Sequence, residues 1–395
     1  MTASSVKILT LNSGSSSLKF AIYQVRPDER LLLSGKLERI GLAQGRIKIS
    51  SAGQAALEEN ADLPDHAAAI GRVLDEIDKR HLADDLSAIG HRVVMGGPHH
   101  TAPQRITPDL LQELHALCRI DPPHLPAALK TIEAAGKFRP GIPQIACFDT
   151  AFHRTLPPVA QAYALPRALV ERYGLIRYGF HGISYEYIVE ELRRIDPAAA
   201  EGKLVIAHLG NGASMAAVHR GRSVETTMGF TPAGGLMMGS RPGDLDPGVL
   251  MHLLAERRMS GAELNRLIYQ ESGLLGVSEV SSDMQDLVRE QDDNPHAKGA
   301  IALFCYQARK SLGALAAVLD GVETVVFTGG IGENSSTVRA GICENLLHLG
   351  LRIDPAKNAG QSAVISTAES RVTVRVMKTN EELMIARHSG KFLTV

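Results

Sequence analysis

Residues 6–23 read VKILTLNSGSSSLKFAIY, and the architecture of the chain can be worked out from this stretch. An apolar, β-rich run, Val6–Leu11, leads into small polar residues at 12–17, and a second apolar run, Leu18–Tyr23, follows them. Glycine and serine are typical of tight turns, whereas β-branched and aromatic residues are typical of strands. The stretch therefore predicts a β-hairpin with a turn of small residues.

A similar unit recurs in the second half of the chain. Residues 204–219 read LVIAHLGNGASMAAVH, again two apolar runs around a turn that contains glycine. A shift of 198 residues superimposes four identical pairs, which are Ile8 and Ile206, Leu11 and Leu209, Gly14 and Gly212, and Ser16 and Ser214. Internal similarity of this kind indicates a duplicated domain, and two unrelated hairpins are the alternative. In a duplicated fold, both turns would offer backbone N–H groups to an anion.

The segments between the β-rich runs have helical spacing. A further run, Thr324–Phe327, also leads into glycines. The predicted helices are Ala67–Arg80, Leu110–Arg119, Gly299–Leu319 and Ser336–Leu349. Strands that alternate with helices predict an α/β architecture with much parallel sheet.

Charge and composition exclude several classes of protein. The 395 residues carry 42 Lys and Arg against 43 Asp and Glu, a net charge of −1. Because no global field attracts polyanions, the sequence predicts neither a nucleic acid nor a membrane as a partner. Apolar stretches fall far short of the about 20 residues that a membrane helix needs. The four cysteines lack C-x-x-C spacing and are interpreted as reduced thiols of a cytoplasmic protein.

Common catalytic signatures are absent from the sequence. It contains no P-loop motif, no G-x-G-x-x-G after a strand, no G-x-S-x-G elbow, no H-E-x-x-H, and no protein-kinase motif set. A P-loop NTPase, a dinucleotide-binding enzyme, a serine hydrolase and a zinc protease are therefore not indicated.

Three turns of small residues are candidates for phosphate binding. In the first, at 12–19, Lys19 supplies a positive charge and Asn12 an oxygen suited to a hard cation. The second is His208–Ser214. The third, Thr328–Ser336, predicts a strand, a glycine loop and a helix, an arrangement that places nucleotide phosphates on backbone amides. Ordinary turns are the alternative for each segment.

Single polar side chains beside apolar residues form a second group of candidates. Arg241 stands in M-G-S-R-P-G-D-L-D-P-G, where glycine and proline restrain its backbone. A restrained arginine suits phosphate, because its guanidinium can donate to two oxygens, although a solvated loop is equally compatible. Arg92, Asp149 and His181 each lie among aromatic or β-branched residues near a glycine. For His181, a purely structural role is the alternative.

Together, these segments closely resemble the acetate kinase family in content and order. The motifs are N-x-G-S-S-S-x-K, H-R-V-V-x-G-G, F-D-T-A-F-H, G-F-H-G, H-L-G-N-G-A-S, M-G-S-R-x-G-D-x-D-P and T-G-G-I-G-E-N, within residues 12–382. The resemblance implies the duplicated actin-like ATPase fold of sugar kinases and Hsp70-like chaperones, with two α/β domains around a central cleft. The domains expected are 1–150, with the tail 384–395 packing back on it, and 151–383. It also implies a homodimer.

The same resemblance implies a reaction and a set of site residues. The reaction is ATP + acetate ⇌ ADP + acetyl phosphate, with Mg²⁺ as cofactor and Mn²⁺ as an alternative ion. Asn12 and Glu381 would hold the metal. The residues implied in catalysis are Arg92, Asp149, His181 and Arg241. Those implied around acetate are Arg92, Val94, Pro123, Phe180 and Pro232. Those implied around the nucleotide are Lys19, His208, Leu209, Gly210, Asn211, Gly212, Asp283, Met284, Gln285, Gly330, Ile331, Gly332, Glu333 and Asn334.

The chemistry of the implied reaction fits this inventory. A carboxylic acid with a pKa of about 4 is ionised at pH 7, so acetate needs no general base. The difficulty is to bring one anion against another, which favours two arginines, a histidine donor and a divalent cation. Asp149 is therefore interpreted as orienting an arginine or the metal, not as abstracting a proton.

Four positions depart from the pattern of the family. The departures are Met95 for a second histidine, Pro123 for a pocket leucine, Tyr185 for a histidine, and Gln285 for an arginine. The first three concern the side that holds the acyl substrate, so propionate or another short-chain acid is the alternative to acetate. A relative that uses the nucleotide only as a conformational switch is a more distant alternative.

Overall fold

The computed structural model describes residues 5–14, 16–51, 56–121 and 124–393. The chain divides into two units by its internal contacts. Unit 1 comprises Met1–Ala151 and Asn380–Val395, and unit 2 comprises Phe152–Thr379. None of the described helices is long and apolar enough to cross a membrane.

Unit 1 is built on one mixed sheet. Its strands are β1 (Val6–Ser13), β2 (Ser17–Arg26), β3 (Arg30–Glu38), β4 (Gly45–Ser51), β5 (Leu57–Ala61), β6 (Leu86–Val93), β7 (Gln104–Arg105) and β8 (Gln144–Phe148). The helices of this unit are α1 (His66–Lys79), α2 (Pro108–Leu117), α3 (Leu125–Phe138) and a last helix, Glu381–Lys391, which we call the C-terminal helix.

The strand order of unit 1 brings three strand ends together. Over the described residues the order is β5-β4-β3-β2-β1-β6-β8-β7. Strand β1 pairs antiparallel with β2 and parallel with β6, and β6 pairs parallel with β8. The carboxyl ends of β1, β6 and β8 therefore lie at one edge of the sheet. Asn12 and Arg92 lie near the ends of β1 and β6, and Asp149 directly follows β8.

Unit 2 surrounds a second sheet with helices. Before the sheet come a 3₁₀ helix that begins at the unit boundary (Ala151–Thr155), α4 (Pro158–Gln161), α5 (Arg167–Tyr173), α6 (Gly182–Ile195) and α7 (Pro197–Glu201). The first three strands are β9 (Lys203–Leu209), β10 (Ala213–His219) and β11 (Arg222–Thr226).

The remainder of unit 2 is mainly helical. The elements are α8 (Pro247–Ala255), α9 (Gly261–Arg266), a π-helical turn (Leu267–Glu271), α10 (Gly273–Ser278), α11 (Met284–Glu290), α12 (Pro295–Val318), β12 (Thr324–Thr328), α13 (Gly329–Asn334), α14 (Ser336–Cys343), a 3₁₀ turn (Leu347–Leu349), α15 (Pro355–Ala359) and β13 (Thr373–Val376). The C-terminal helix then belongs to unit 1.

Both sheets share one five-strand pattern. The described strands of unit 2 have the order β11-β10-β9-β12-β13, which matches β3-β2-β1-β6-β8 in unit 1. In each, a hairpin and a third antiparallel strand lie on one side, and two parallel strands lie on the other. The predicted α/β class and the predicted duplication of the hairpin are confirmed by this shared order.

Amphipathic helices cover the sheets, and α1 shows how a capping residue and an apolar face produce this packing. Helix α1 begins after Asp65, whose carboxylate accepts a hydrogen bond of 2.8 Å from the backbone N–H of Ala68. Its buried face includes Ile70, Val73 and Ile77, which recur at helical spacing and pack in the core beside β1 and β2. Full burial of each such side chain contributes about 1.5–3 kcal/mol.

The predicted helix Ser336–Leu349 is too long. Helix α14 ends at Cys343, where Glu344 is extended with ψ 139°. Asn345 then takes a left-handed conformation with φ 61°, which a continuous right-handed helix does not contain. The apolar residues after it form only the short 3₁₀ turn Leu347–Leu349. The apolar periodicity of the sequence continues to Leu349, but the helix ends at Cys343.

The C-terminal helix packs directly against β6. A methyl group at Gly90, in the middle of β6, would lie only 2.6 Å from Cγ2 of Ile385. Glycine at this position therefore permits the close approach of strand and helix. Met384 and Ile385 of the helix are fully buried. The C-terminal helix is thereby held against the first sheet, and Glu381 is placed at the helix start.

Candidate functional site

A charged cluster lies at the strand ends of unit 1. The guanidinium of Arg92 donates to Oδ2 of Asp149 from both Nε, at 2.9 Å, and Nη2, at 2.5 Å. Its Nη1 donates to Oδ1 of Asn12 at 3.1 Å. Asp149 is 0% exposed, and the Arg92 side chain is 15% exposed. Two neighbours thus fix the plane of the guanidinium.

Electrostatics keep this arginine charged. Burial alone would lower the pKa of the Arg92 guanidinium, but the negative charges of Asp149, Glu381 and Glu382 and the hydrogen bonds to Asp149 raise it above its ordinary value. The result is a permanent cation, mostly withdrawn from water, whose direction is set by its partners. Such a group can orient an anion without losing its proton.

The predicted metal residues belong to the same cluster. Nδ2 of Asn12 donates to Oε2 of Glu381 at 2.9 Å and to Oε1 of Glu382 at 3.1 Å. These amide and carboxylate oxygens are the donors that Mg²⁺ prefers. No group of three or more His, Cys, Asp or Glu able to hold a metal occurs in the part of the chain that the structure describes. Asn12 and Glu381 can each supply an oxygen ligand to such an ion.

Three other predicted residues belong to unit 1. Lys19 is exposed on β2 and is the register partner of Asn12 on β1. Val94 follows β6 and is 4% exposed. Pro123 lies outside the described residues.

In unit 2, His181 sits in a constrained turn at the start of α6. It precedes the helix with φ 59° and ψ 22°, a left-handed conformation that is uncommon for a residue with a side chain. Such a backbone costs about 1–3 kcal/mol and persists only where its surroundings enforce it. Nδ1 of His181 lies 2.8 Å from Oγ of Ser214 on β10. The ring is therefore held by both the turn and the hairpin.

A second imidazole stacks on His181. His208, near the end of β9, lies with its ring centroid 4.3 Å from that of His181 and at an interplanar angle of 26°. Nδ1 of His208 lies 2.8 Å from Oγ of Ser184, which in turn lies 2.8 Å from Oγ1 of Thr379. His208 thus contacts a serine of α6, which begins directly after His181, and His181 contacts a serine of β10, the strand paired with β9.

Arg241 and His181 both approach the turn of the second hairpin. A methyl group at Gly212 would lie 2.7 Å from Nη2 of Arg241 and 3.3 Å from Nε2 of His181. Nη1 of Arg241 donates to the carbonyl of Pro232 at 2.6 Å. A cation and an imidazole therefore lie beside the backbone of this turn.

The segment after β12 forms a helix without an intervening loop. Oε1 of Glu333 accepts hydrogen bonds from the backbone N–H groups of Gly329, at 3.0 Å, and Thr379, at 3.1 Å. Asn334 donates to the carbonyl of Gly330 at 2.8 Å. No atom lies within 4 Å of a methyl group placed at Gly330. The predicted glycine loop is the first turn of α13, and its Glu333 carboxylate binds backbone.

The remaining predicted nucleotide residues have mixed surroundings. Asp283 is exposed and caps α11 by accepting from the backbone N–H of Gln285 at 2.8 Å. Met284 is 2% exposed and Leu209 is 0% exposed, so both side chains pack in the interior. A methyl group at Gly239 would lie 3.0 Å from the carbonyl of Ser282. Ile331 and Gly332 lie in α13, and Gly210 and Asn211 lie in the turn after β9.

His153 braces the predicted acyl-pocket residue Phe180. Its Nε2 lies 2.9 Å from the carbonyl oxygen of Phe180, and its Nδ1 lies 2.8 Å from Oγ of Ser223. Burial lowers the pKa of His153 to about 4, against a weaker opposing contribution from the hydrogen bond to Phe180. The ring is therefore neutral at pH 7 and supports the backbone directly before His181.

The structure brings the predicted residues together in two sets. Unit 1 joins Arg92, Asp149, Asn12 and Glu381, and unit 2 joins His181, His208, Arg241, Gly212 and Pro232. Sequence reasoning missed Glu382, Ser184 and Ser214 as partners within these sets. The available signal for Ser214 is its place in the quoted H-L-G-N-G-A-S motif, and Ser184 follows the quoted G-F-H-G motif by two residues.

Sequence comparison gives a consistent result across the chain. A sequence profile described as the Acetokinase family matches residues 7–387. The chain is 46% identical over 390 residues to an acetate kinase of Rhodopseudomonas palustris, covering 96% of this chain and 97% of the relative. It is 39% identical over 397 residues to an acetate kinase of Halothermothrix orenii, covering 98% and 100%.

Solved structures agree with the sequence relatives. An acetate kinase of Porphyromonas gingivalis superposes with a TM-score of 0.87 at 36% identity, covering 98% of this chain and 100% of that one. A propionate kinase of Francisella tularensis superposes with a TM-score of 0.91 at 33% identity, covering 97% and 98%. The predicted duplicated fold is confirmed by these neighbours.

We expect His153 to make stability depend on pH. Its pKa is about 4 in the folded chain and 6.5 for the free side chain, so the unfolded state takes up a proton first as the pH falls. The stabilisation is complete above pH 6.5 and is lost toward pH 4, by up to about 3 kcal/mol. In urea unfolding, His153→Gln should lose stability less steeply than wild type across this window.

The exposed His348 supplies the matched control, because His348→Gln removes an imidazole from the surface of the same unit. The free energy of unfolding of this variant should depend on pH as that of wild type does. Equal slopes for His153→Gln and wild type between pH 6.5 and pH 4 would contradict the assignment of a buried neutral ring.

Proposed function

The chain belongs to the acetokinase family, and from this premise we propose that it transfers a phosphoryl group reversibly between ATP and acetate, forming ADP and acetyl phosphate. The observation that carries the proposal is the buried guanidinium of Arg92, held in one orientation by Asp149 and Asn12. A fixed cation of this kind suits the carboxylate of a small acid. The transferred group must approach that carboxylate, so the remaining chemistry is positioning and charge neutralisation.

In this proposal, Arg92 holds acetate and Asp149 holds Arg92. Acetate is ionised at neutral pH, so its oxygen attacks phosphorus without giving up a proton. The bond from the γ-phosphorus to the β,γ-bridging oxygen breaks as the new bond to the acetate oxygen forms, and ADP leaves with the electron pair. The role of Asp149 is to hold the guanidinium plane against rotation, which Oδ2 supports by accepting from two of its nitrogens.

The groups of unit 2 would stabilise the phosphoryl group in transit. His181 and Arg241 both approach the turn at Gly212, where backbone N–H groups are available to phosphate oxygens. We propose that His208–Gly212 binds the phosphates, that Gly330–Asn334 and Asp283–Gln285 bind the nucleoside, and that Lys19 adds positive charge. Positioned cationic groups acting on transferring phosphoryl groups can be worth about 10³–10⁵ in rate.

We propose Mg²⁺ as the cofactor, with Mn²⁺ as a substitute. Asn12 and Glu381 would hold it or its water ligands, and their oxygen donors suit a hard cation. When bound, the ion neutralises charge on the phosphate oxygens. The Asn12 side chain bridges Arg92 and Glu381, so it also aligns the cation and carboxylate of unit 1.

Acetate is the proposed acid, and propionate is the second candidate. Val94, Phe180 and Pro232 are buried apolar residues, and with Pro123 they would surround the methyl group. One methylene in an apolar pocket is worth only about 1–3 kcal/mol. The similarity to the Francisella propionate kinase favours testing this acid specifically.

We further propose that the functional form is a homodimer. Helix α8 has no buried residue, although it carries the exposed apolar side chains Val249, Met251 and Leu254. A largely apolar helix with no covered face is typical of an interface. A second copy of the chain is the partner that we propose for this helix.

We also propose a cytoplasmic location and two domains with the limits 1–150 plus 384–395, and 151–383. The four cysteines, all among the described residues, form no disulfide, which supports the first of these. The division into two units, with the chain end grouped with the first, supports the second.

Hydroxamate formation tests the reaction. With ATP, Mg²⁺ and hydroxylamine, we expect acyl hydroxamate from acetate, less from propionate and least from butyrate. Arg241→Leu should reduce the rate about 10³-fold or more, because a transition-state cation is removed. Arg167→Leu, which removes an exposed arginine from the same unit, should retain the rate of wild type.

The absence of product from all three acids with wild-type protein would contradict the proposed reaction. That result, together with nucleotide binding, would favour the conformational switch instead. Equal rates for Arg241→Leu and Arg167→Leu would contradict the role given to Arg241.

Light scattering during gel filtration tests the dimer. Wild type should elute at twice the 42.4 kDa of one chain. Met251→Glu places a charge on α8, where Met251 is 61% exposed, and should yield monomers at micromolar concentration. Leu42→Glu, at a 56% exposed residue of unit 1, is the control and should remain dimeric. A monomeric wild type, or a dimeric Met251→Glu variant, would contradict the interface.

A further inference from the structure

We propose that Tyr185 and Ser214 form a hydrogen-bond relay that keeps the proton of neutral His181 on Nε2. The inference rests on the proposed function, since it explains how His181 becomes a donor to phosphate. Tyr185 occupies a position at which the pattern of the family has a histidine, so the relay is a property of this chain. Tyr185 and Ser214 are positioning residues, because they act through His181.

The three groups form a continuous chain. Oη of Tyr185 lies 2.5 Å from Oγ of Ser214, and the same Oγ lies 2.8 Å from Nδ1 of His181. Tyr185 and Ser214 are both 0% exposed. At these distances the serine hydroxyl bonds both the phenol and the imidazole, and burial shields both bonds from water.

The chemistry of the hydroxyls sets the direction of the chain. A serine hydroxyl has one proton, so it donates to only one of its two neighbours. A phenol is the more acidic hydroxyl and therefore the better donor, which leaves serine free to donate onward. Tyr185 thus donates to Ser214, and Ser214 donates to Nδ1 of His181. An imidazole that accepts at Nδ1 carries its proton on Nε2 when neutral.

The protonated nitrogen faces the place where an anion would bind. A methyl group at Gly212 would lie 3.3 Å from Nε2 of His181 and 2.7 Å from a guanidinium nitrogen of Arg241. In the relay tautomer, Nε2–H and Arg241 both present donors at this turn. In the other tautomer, Nε2 would present a lone pair, which repels a phosphate oxygen.

The stacked histidine has a similar arrangement. Nδ1 of His208 contacts Oγ of Ser184, which contacts Oγ1 of Thr379, each at 2.8 Å. Ser184 belongs to α6 beside Tyr185, whereas Ser214 belongs to the hairpin beside His208. The two serines therefore link the start of α6 to the hairpin in both directions, which holds both Nδ1 atoms away from the turn.

The experiment is ¹⁵N NMR of the full chain labelled at histidine, with the His181 signals assigned from His181→Asn. At pH 8, we expect Nδ1 of His181 to be unprotonated and Nε2 protonated in wild type. Tyr185→Phe should shift these signals toward a mixture of tautomers. It should also lower kcat about five- to tenfold, while the KM for acetate changes less than twofold.

Tyr178→Phe is the matched control. It also removes a buried phenolic hydroxyl from unit 2, but that hydroxyl donates to the carbonyl of Gly174 at 3.1 Å. We expect it to leave both the tautomer and kcat as in wild type, which separates the relay from the general cost of losing a hydroxyl.

A proton on Nδ1 of wild-type His181, in a neutral ring or an imidazolium, would overturn the proposal. So would a Tyr185→Phe variant with an unchanged tautomer. The wild-type spectrum decides even when the variant does not fold. A wild-type protein that shows the Nε2 tautomer but forms no acyl phosphate would refute the proposed reaction and leave the relay standing.

Discussion

A buried guanidinium places the strongest demand on unit 1. Arg92 needs Asp149 and Asn12 beside it, since removing one partner of a buried ion pair costs about 3–5 kcal/mol. Those partners come from β1 and from the residue after β8, and Glu381 comes from the far end of the chain. The Arg92 cation can be accommodated only where these elements meet. The topology of the sheet and the position of the C-terminal helix therefore both determine how this charge is stabilised.

The two units use one strand pattern for different chemistry. At the strand ends of unit 1, carboxylates and an amide surround one arginine, which suits a metal and a small carboxylate. In unit 2, two stacked imidazoles and Arg241 lie near the hairpin turn, a set rich in donors that suits phosphate. Duplication accounts for the shared pattern of strands, and the side chains at the strand ends account for the chemical difference between the two units.

Much of this arrangement could be read from local sequence. The hairpins were predictable because β-branched runs flank turns of glycine and serine, and Arg92, Asp149 and His181 were predictable because each lies among aromatic or β-branched residues near a glycine. Strands β3–β5 were not predicted, because β3 contains a run of three leucines and β5 is mostly polar, although the residues of β4 do alternate. The roles of Ser184 and Glu382 depend on segments brought together from far along the chain, as in the contact of Asn12 with Glu382, and no local pattern carries that information.

The proposed mechanism of phosphoryl transfer depends most on Asp149 acting through Arg92 and the metal, not as a base. Its most direct measurement is the rate of acetyl phosphate formation by Asp149→Asn as a function of Mg²⁺ and of pH, with the exposed Asp292→Asn as control. We expect a slower enzyme that needs more Mg²⁺ for its half-maximal rate, with the same number of ionisations as wild type. An Asp149→Asn variant with unchanged Mg²⁺ dependence and one ionisation fewer than wild type would contradict this role of Asp149.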